Sequence, residues 1–135
     1  MVKKKKKGKI GKMFKKMKGT SNLETKFAKV LDDLGLSYEQ HYDYKKREYD
    51  FLLLDYSILI ETHGCFYHCC KTHFPAPIYP FQKRTLKNDQ FKVKSVKFGK
   101  EFTLLVIWEH ELDNATQLNN KINEFIVKHG YILED

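Results

Sequence analysis

The sequence predicts an α/β fold in which one mixed sheet is flanked by helices, in the order αβββαβ with one further helix near the C-terminus. Three observations support this prediction. Apolar residues recur at helical spacing in residues 20–36, three apolar and aromatic runs follow closely in residues 37–62, and helical and extended patterns then alternate. Strands that run together early and later alternate with helices are typical of a mixed sheet.

The first helix is predicted within residues 20–36. Ser21 and Glu24 stand three residues apart, as in a capping box, and Gly35 stands where a helix C-terminus is expected. The apolar positions that recur at helical spacing are Leu23, Phe27, Val30, Leu31 and Leu34. An amphipathic helix with one buried face is therefore expected.

Three short strands of a meander are predicted next. They are the runs SYEQHYDY, YDFLLLDY and SILIET, and the polar stretches KKRE and DYS separate them. The almost unbroken FLLL and ILI indicate strands that are covered on both faces. Asp50 is expected to open the second strand and Glu61 to close the third.

The remaining elements follow HFPAPIYP, a stretch that holds all three prolines and is expected to be irregular. Residues 81–98 are predicted as a strongly basic helix that ends at Gly99, and FTLLVIW is predicted as a fourth buried strand. Asp113 or Asn114 is expected to cap a last helix, which Gly130 closes. The apolar stripe of this helix consists of Leu118, Ile122, Phe125 and Ile126.

Positive charge is concentrated at the N-terminal end. The formal net charge is +8, but residues 1–18 hold ten lysines and no acid, so the rest of the chain carries 15 Lys and Arg against 17 Asp and Glu. Residues 1–19 are interpreted as a basic arm that is mobile until it meets a polyanion, and residues 20–135 as a single domain. Nucleic acid is the favoured partner, because lysines near phosphates release counterions. An anionic membrane surface and a solubility tail are the alternatives.

Within the arm, Lys12, Lys15 and Lys16 are candidate DNA contacts. Met13 belongs to a small apolar set that could wedge into a groove or between bases, and docking of this set on the core is an equal alternative.

Composition also bears on the compartment. The three cysteines all lie within residues 65–70, which does not suit a secreted disulfide framework but fits a reducing cytosol or a metal site. No apolar run approaches the roughly 18 residues needed to span a bilayer, and no apolar signal core follows the basic N-terminus. A cytoplasmic protein without a membrane partner is expected.

The stretch ETHGCFYHCC, residues 61–70, concentrates the residues that carry chemistry. If the second and third strands pair through their short turn, Asp50 and Glu61 face each other across one ladder, and His63 lies on the same side as Glu61. A divalent cation at a phosphodiester needs hard oxygen ligands, and histidine titrates near neutral pH. Each residue alone would be an ordinary strand-end group, but their joint spacing favours an active site.

These motifs resemble a known nuclease family. YDFLLLDYSILIETHGCFYH, a downstream F…K…N pattern and LLVIWEHEL resemble the very-short-patch-repair (Vsr) mismatch endonucleases and related phage homing endonucleases, from about Lys12 to Leu112. The wider PD-(D/E)XK superfamily has Asp, then Asp or Glu, one residue and Lys, and here His63 stands at the lysine position. The resemblance implies a restriction-endonuclease-like core and a metal-dependent DNA endonuclease.

The resemblance also implies roles at a catalytic magnesium site. Asp50 would be the main Mg²⁺ ligand, assisted by the carbonyl of Thr62 and by Glu61, which replaces an apolar residue of the mismatch enzymes. His63 and His68 would act as general base and acid. A further acidic residue, Glu24, matches the acid on the first helix of the family and is more simply a capping residue.

For DNA binding, the resemblance points to aromatic and basic residues. Phe66 and Tyr67 match aromatics that insert between base pairs, although Tyr67 replaces the usual Trp. The basic helix would hold the DNA backbone. Its candidate residues are Lys83, Arg84, Lys87 and Asn88, followed by Lys92, Lys94 and Lys97.

A structural zinc ion is the second metal that the resemblance implies. In the family it ties the segment after the second catalytic histidine to the end of the WE strand. Three candidate ligands are Cys70, His73 and His110, and the fourth is either Cys69 or a residue that the pattern does not identify. Asp89 is a candidate substitute for an acidic ligand, and Cys65 is expected to pack as a small core residue.

The favoured function is therefore a small phage-type homing or nicking endonuclease that acts on double-stranded DNA as a monomer or a transient dimer. Its compartment would be the bacterial host cytoplasm if it is phage-encoded. A Vsr-type mismatch-repair nickase and a non-catalytic, zinc-stabilised DNA-binding protein are the alternatives.

Overall fold

A computed structural model describes residues 21–130 of the chain. The predicted basic arm, with Lys12, Met13, Lys15 and Lys16, lies outside the described residues. The elements, in chain order, are α1 (Asn22–Asp33), β1 (Tyr38–Tyr44), β2 (Arg47–Leu53), β3 (Ile58–His63), α2 (Cys65–His68), α3 (Pro80–Gly99), β4 (Thr103–Trp108), a 3₁₀ helix (Glu109–Asp113) and α4 (Ala115–His129).

The four strands form one sheet in the order β1-β2-β3-β4. The first three strands are an antiparallel meander, and β4 returns parallel to β3 after α3. Because parallel strands end at the same edge, His63 at the end of β3 lies beside Trp108 at the end of β4. The predicted mixed sheet flanked by helices is confirmed.

Two hydrophobic clusters cover the two faces of the sheet. The first lies between the sheet and helices α1 and α4, and its fully buried members include Phe27, Leu31, Phe51, Ile60, Ile107 and Ile122. The second lies on the face that α3 covers, and it consists of Tyr44, Tyr49, Leu52, Leu59 and Val96. Every residue of β3 is buried, as the run ILI predicts.

The ends of α1 follow the predicted signals in part. Oγ of Ser21 accepts a hydrogen bond from the Glu24 amide at 3.1 Å. At the other end Gly35 has φ +73°, and the amides of Gly35 and Leu36 donate to the carbonyls of Asp32 and Leu31, which is a Schellman motif. The carboxylate of Glu24 lies near β1 instead, 3.4 Å from Nε2 of His41. The helix start therefore directs an acidic side chain towards the sheet.

Two strand boundaries differ from the prediction. Asp50 does not open β2, because Arg47 and Tyr49 already pair with β1. Glu61 does not close β3, because the strand continues to pair with β4 as far as His63. Both carboxylates therefore lie inside strands, because the residues before and after each of them pair with a neighbouring strand.

The regular alternation of side chains breaks at His41 and Asp50. The β1–β2 register pairs Gln40 with Phe51 and Tyr42 with Tyr49, so His41 and Asp50 lie opposite each other between these pairs. His41 has φ +57°, a conformation that non-glycine residues rarely adopt. Tyr49 and Phe51 consequently belong to different hydrophobic clusters. This irregular point positions the site described below.

In the described part of the chain, no helix combines the length and the apolar character that crossing a bilayer requires.

Candidate active site

Three carboxylates from three elements converge at the irregular point of the sheet. They belong to Glu24 of α1, Asp50 of β2 and Glu61 of β3, and together they are called the carboxylate site. Oδ2 of Asp50 accepts hydrogen bonds from the amide and hydroxyl of Thr62, at 2.7 and 2.9 Å. The Asp50 amide donates to Oε2 of Glu61 at 3.1 Å. The structure thus places Asp50 and Glu61 opposite each other, as the sequence predicts.

The proximity of these acids changes their ionisation. Burial, followed by the charge and hydrogen bond of Asp50, raises the pKa of Glu24 to about 8. Burial and then Glu61 also raise the pKa of Asp50. Burial acts to raise the pKa of Glu61, but His63 and Lys92 outweigh it and hold that pKa below its usual value. Without a further cation, the site favours a protonated Glu24 at neutral pH.

The residues fit a divalent cation. Oε1 of Glu24 is buried and, among the described residues, accepts no hydrogen bond. The donors that surround this position are carboxylate oxygens, which Mg²⁺ prefers. A cation there would satisfy the buried oxygen and offset the repulsion between Glu24, Asp50 and Glu61.

His41 is a site residue that the sequence analysis missed. Its Nε2 lies 3.4 Å from Oε1 of Glu24, and its Nδ1 lies 2.5 Å from Oε2 of Glu48. The buried ring therefore connects the carboxylate site to a half-exposed acid at the surface. The two-residue turn at Lys45 and Lys46 sets the register that places His41 opposite Asp50, whereas the predicted four-residue separator KKRE would place Asp43 there.

The two histidines of the central motif stack on each other. The rings of His63 and His68 lie 3.8 Å apart and 4° from parallel, and the edge of Trp108 faces His63. The single turn of α2 brings His68 back over the end of β3. Nδ1 of His68 lies 2.6 Å from Oδ2 of Asp89. Asp89, a candidate zinc ligand from sequence, thus lies with the histidines.

The carboxylate site opens into a cleft of about 530 Å³. Residues that line it include Glu24, Asp50, Glu61, Thr62, His68, Asn88, Asp89, Lys92 and Glu109. His68 reaches this cleft, whereas His63 lines a neighbouring, more apolar cavity together with Trp108 and Cys69. Of the two histidines, His68 therefore has the more direct access to a ligand in the cleft.

Aromatic side chains form one wall of the cleft. Phe66 and Tyr67 line it, and the Tyr67 side chain is 59 % exposed. Behind them, Phe66 contacts the rings of Phe74, Tyr79 and Phe81. A fully buried glutamine fixes this wall: Nε2 of Gln82 donates to the Phe66 carbonyl at 2.7 Å, and its Oε1 accepts from the amides of Ile78 and Tyr79. The sequence analysis did not identify Tyr79, Phe81 or Gln82.

The predicted basic contacts lie on α3. The side chains of Lys83, Arg84, Lys87 and Asn88 are exposed, and Asn88 also lines the cleft. Lys92 differs from them, because its ammonium turns inward and lies 2.9 Å from Oε1 of Glu61.

A second group of potential ligands lies around α2 and the loop that follows it. It consists of Cys65, Cys70, His73 and His110, whose ligand atoms all lie within 4.8 Å of one another, and it is called the Cys/His site. Sγ of Cys65 lies 3.2 Å from Nδ1 of His110, and Sγ of Cys70 lies 3.2 Å from Nδ1 of His73. Two sulfurs and two imidazoles are donors typical of tetrahedral zinc.

The fourth member of this group is Cys65, and Cys69 lies outside it. Cys69 follows α2 with φ +53°, and this turn of the backbone directs its side chain towards the apolar cavity. Cys65, expected from sequence to be a core residue, instead contacts His110. Burial acts to raise the pKa of Cys70, but hydrogen bonds from His73 and Cys65 lower it to about 6. The Cys70 thiol is therefore prepared to bind a metal as a thiolate.

Comparison with solved structures supports the fold. The chain is similar to the catalytic domain of the homing endonuclease I-Bth0305I, with a TM-score of 0.58 and 19 % sequence identity over 82 % of this chain and 98 % of that domain. The chain has a nuclease-like core fold. At this identity, the likeness concerns the fold alone. No protein-family profile matches the sequence, and no curated protein sequence matches it.

Proposed function

We propose that the protein is a metal-dependent DNA endonuclease that hydrolyses phosphodiester bonds. The observation that carries this proposal is the convergence of Glu24, Asp50 and Glu61 on a cleft that His68 also lines. The nuclease-like fold supports it, since the similar solved structure is the catalytic domain of a homing endonuclease. The substrate is double-stranded DNA.

The carboxylate site would hold Mg²⁺ through Asp50 and Glu61, with the carbonyl of Thr62 as a further ligand. Thr62 also holds Asp50 through its amide and hydroxyl. A magnesium ion at a phosphodiester polarises the phosphoryl oxygens and lowers the pKa of a water molecule. Glu24 adds a third carboxylate, which His41 orients from β1.

The histidines would move the protons. A hydrogen bond from Nδ1 of His68 to Asp89 fixes the ring and leaves Nε2 to exchange a proton with the substrate. The His63 ring stacks on the His68 ring, and Nε2 of His63 lies 3.8 Å from Oε1 of Glu61. In this arrangement His68 acts on the substrate directly, and His63 supports both His68 and Glu61.

DNA would be held by the aromatic wall and the basic helix. Phe66 and Tyr67 offer surfaces on which bases can stack, and Lys83, Arg84 and Lys87 offer charge to the backbone. Lys12, Met13, Lys15 and Lys16 of the basic arm would extend this contact. Because the described part of the chain forms one carboxylate site, each protein would cut one strand at a time, and double-strand cleavage requires a transient dimer or two successive nicks.

The Cys/His site would bind a structural zinc ion. Cys65 belongs to α2, Cys70 and His73 to the following loop, and His110 to the 3₁₀ helix after β4. A metal ion there would tie the aromatic wall to the end of the sheet. It would thereby fix the position of His68 at the cleft.

Cleavage of supercoiled DNA tests the proposed function. With Mg²⁺, the native protein should nick the DNA, and Asp50→Ala should reduce the rate by about 1000-fold or more, because removing a principal metal ligand removes the ion's contribution to the transition state. Asp43→Ala is the matched control, since Asp43 is exposed on the neighbouring strand. Equal nicking by native protein and Asp50→Ala would overturn the proposal.

The same assay separates the alternatives. A non-catalytic DNA-binding protein would bind DNA in EDTA and cleave no substrate. Mapping the cut positions on matched and mismatched duplexes separates the two enzyme types. Cleavage at one long matched site supports a homing or nicking endonuclease, whereas cleavage confined to mismatches supports a repair nickase.

A further inference from the structure

Acidic residues outnumber basic residues in the lining of the cleft. Its acidic residues are Glu24, Asp50, Glu61, Asp89 and Glu109. Among the described residues, Lys92 is the one lysine or arginine that lines it. A phosphodiester is itself an anion, so these carboxylates repel it unless cations intervene. A metal ion is one such cation, and the ammonium of Lys92 is the lysine or arginine cation that the described lining of the cleft supplies.

The surroundings of Lys92 confine its ammonium to the carboxylate site. Its side chain is 14 % exposed, and Nζ lies 2.9 Å from Oε1 of Glu61. Nζ also lies 5.3 Å from the centre of the Tyr49 ring, and the Tyr49 hydroxyl donates to the Lys92 carbonyl at 3.2 Å. Tyr49 is fully buried, so it holds both the helix turn and the ammonium. In contrast, Lys94 and Lys97 of the same helix are exposed.

The contacts of Glu61 show what must change when a metal ion binds. Oε1 of Glu61 contacts Lys92, and Oε2 accepts a hydrogen bond from the Asp50 amide. Each oxygen therefore already has one partner, and a metal ion at Oε1 would compete with Lys92 for this oxygen. The flexible four-carbon stem of a lysine allows the ammonium to move without a shift of the helix.

We infer that Lys92 is a catalytic residue whose ammonium passes from Glu61 to the scissile phosphate when metal and DNA enter the cleft. This inference rests on the proposed function. The exchange keeps charges paired, since Glu61 gains the metal ion as Lys92 gains the phosphate. Lys92 reaches Glu61 of β3 from the neighbouring helix α3.

In the reaction, Lys92 stabilises charge and forms no covalent bond. Water forms a bond to phosphorus, and the bond from phosphorus to the leaving sugar oxygen breaks. The proton of the water passes to a base of the cleft, and the leaving oxygen takes up a proton. Negative charge increases on the phosphoryl oxygens during this step, and a fixed ammonium at that point favours the transition state.

Single-turnover cleavage of a labelled duplex, with protein and Mg²⁺ at saturation, tests the inference. Lys92→Met should lower the rate by about 100-fold or more, the usual result of removing one group that stabilises transition-state charge. Lys128→Met makes the same change of charge on an exposed position of α4 and should leave the rate unchanged. Cleavage by Lys92→Met at the native rate would overturn the inference.

A second variant separates catalysis from folding, because Lys92→Met leaves the buried Glu61 without its ammonium and can destabilise the domain. Lys92→Gln retains a hydrogen-bond donor for Glu61 and should melt near the native temperature. It should nevertheless cleave as slowly as Lys92→Met. Full activity of Lys92→Gln would show that Lys92 only supports the fold and would overturn the inference.

The Mg²⁺ dependence supplies a readout that a purely structural role would not produce. Because Lys92 competes with the metal ion for Glu61, Lys92→Gln should reach its lower maximal rate at a lower Mg²⁺ concentration than the native protein. An unchanged or higher half-saturating concentration would contradict the exchange. If the native protein itself cleaves no DNA, the proposed function fails, and this inference fails with it.

Discussion

The carboxylate site and the Cys/His site contrast in charge and in their position relative to the cleft. At the carboxylate site, like charges are crowded and the pKa of Glu24 rises to about 8, whereas at the Cys/His site each sulfur is paired with an imidazole and the pKa of Cys70 falls to about 6. The carboxylate site opens into the cleft, which none of the four Cys/His ligands lines. A metal site with open access suits chemistry, and a closed one suits a structural role.

This contrast indicates where the molecule gives up stability for function. In the metal-free domain the carboxylate site is destabilising, because burial and a neighbouring carboxylate raise the pKa of both Glu24 and Asp50. At the Cys/His site the ligands are hydrogen-bonded in pairs, although burial and then Cys70 raise the pKa of Cys65 to about 11. Substitutions in the carboxylate site should therefore reduce activity but not stability. Substitutions of the Cys/His ligands should reduce the stability of the fold.

The largest expected effect on stability comes from the Cys/His site. Cys70→Ser should lose zinc and melt at least about 10 °C lower, because a ligand present at 1000 times its Kd contributes about 4 kcal/mol. Zinc content and the thermal midpoint by circular dichroism measure the change. Cys69→Ser is the matched control, since Cys69 is adjacent but outside the group. Zinc loss from Cys69→Ser with retention in Cys70→Ser would contradict the assignment.

A smaller effect should follow pH at the carboxylate site. The pKa of Glu24 rises from 4.5 to about 8 on folding, so its contribution to stability is fully present below pH 4.5 and is lost as pH rises through about 8. The thermal midpoint of the Mg²⁺-free, zinc-loaded protein should therefore fall across this range. The thermal midpoint of Glu24→Gln should fall less over the same range, and Mg²⁺ should restore the stability of the native protein at high pH. Identical pH profiles for native protein and Glu24→Gln would contradict this account.

The smallest effect concerns the aromatic wall and should leave both metal sites intact. Tyr67→Ala should weaken binding of duplex DNA by about tenfold, since stacking of a base on an aromatic ring contributes about 1–3 kcal/mol. Binding is measured with Ca²⁺ in place of Mg²⁺ to prevent cleavage. Phe98→Ala is the control, because Phe98 is also an aromatic of high exposure, at 81 %, but does not line the cleft. Equal loss in both variants would show that the effect is not local to the wall.

Much of the fold was predictable because its signals are periodic. The stripes of α1 and α4 and the runs of β2, β3 and β4 repeat over many residues. The turn at residues 54–57, which contains DYS, sets the register that pairs Asp50 with Glu61. The four residues of α2 are too few to show a helical period. The choice of Cys65 over Cys69 depends on the positive φ at Cys69, which the residue type does not indicate.

Lys92 could not be distinguished from the other lysines by sequence. The buried residues of α3 are Gln82 and Val96 alone, so its apolar pattern does not reveal which face meets the sheet. Only the packing of α3 over Tyr49 and Glu61 directs Lys92 inward. His41 was missed for a similar reason, since its role follows from an irregular φ opposite Asp50.

We expect the carboxylate site to bind the catalytic Mg²⁺ and the Cys/His site to bind a structural zinc ion, and one titration tests both expectations. Zinc-loaded protein, freed of all other divalent cations, is incubated with supercoiled DNA at increasing Mg²⁺ while its zinc content is measured. We expect the protein to retain an equimolar amount of zinc throughout and to nick no DNA until Mg²⁺ is added. Full nicking of the DNA without added Mg²⁺ would contradict this expectation.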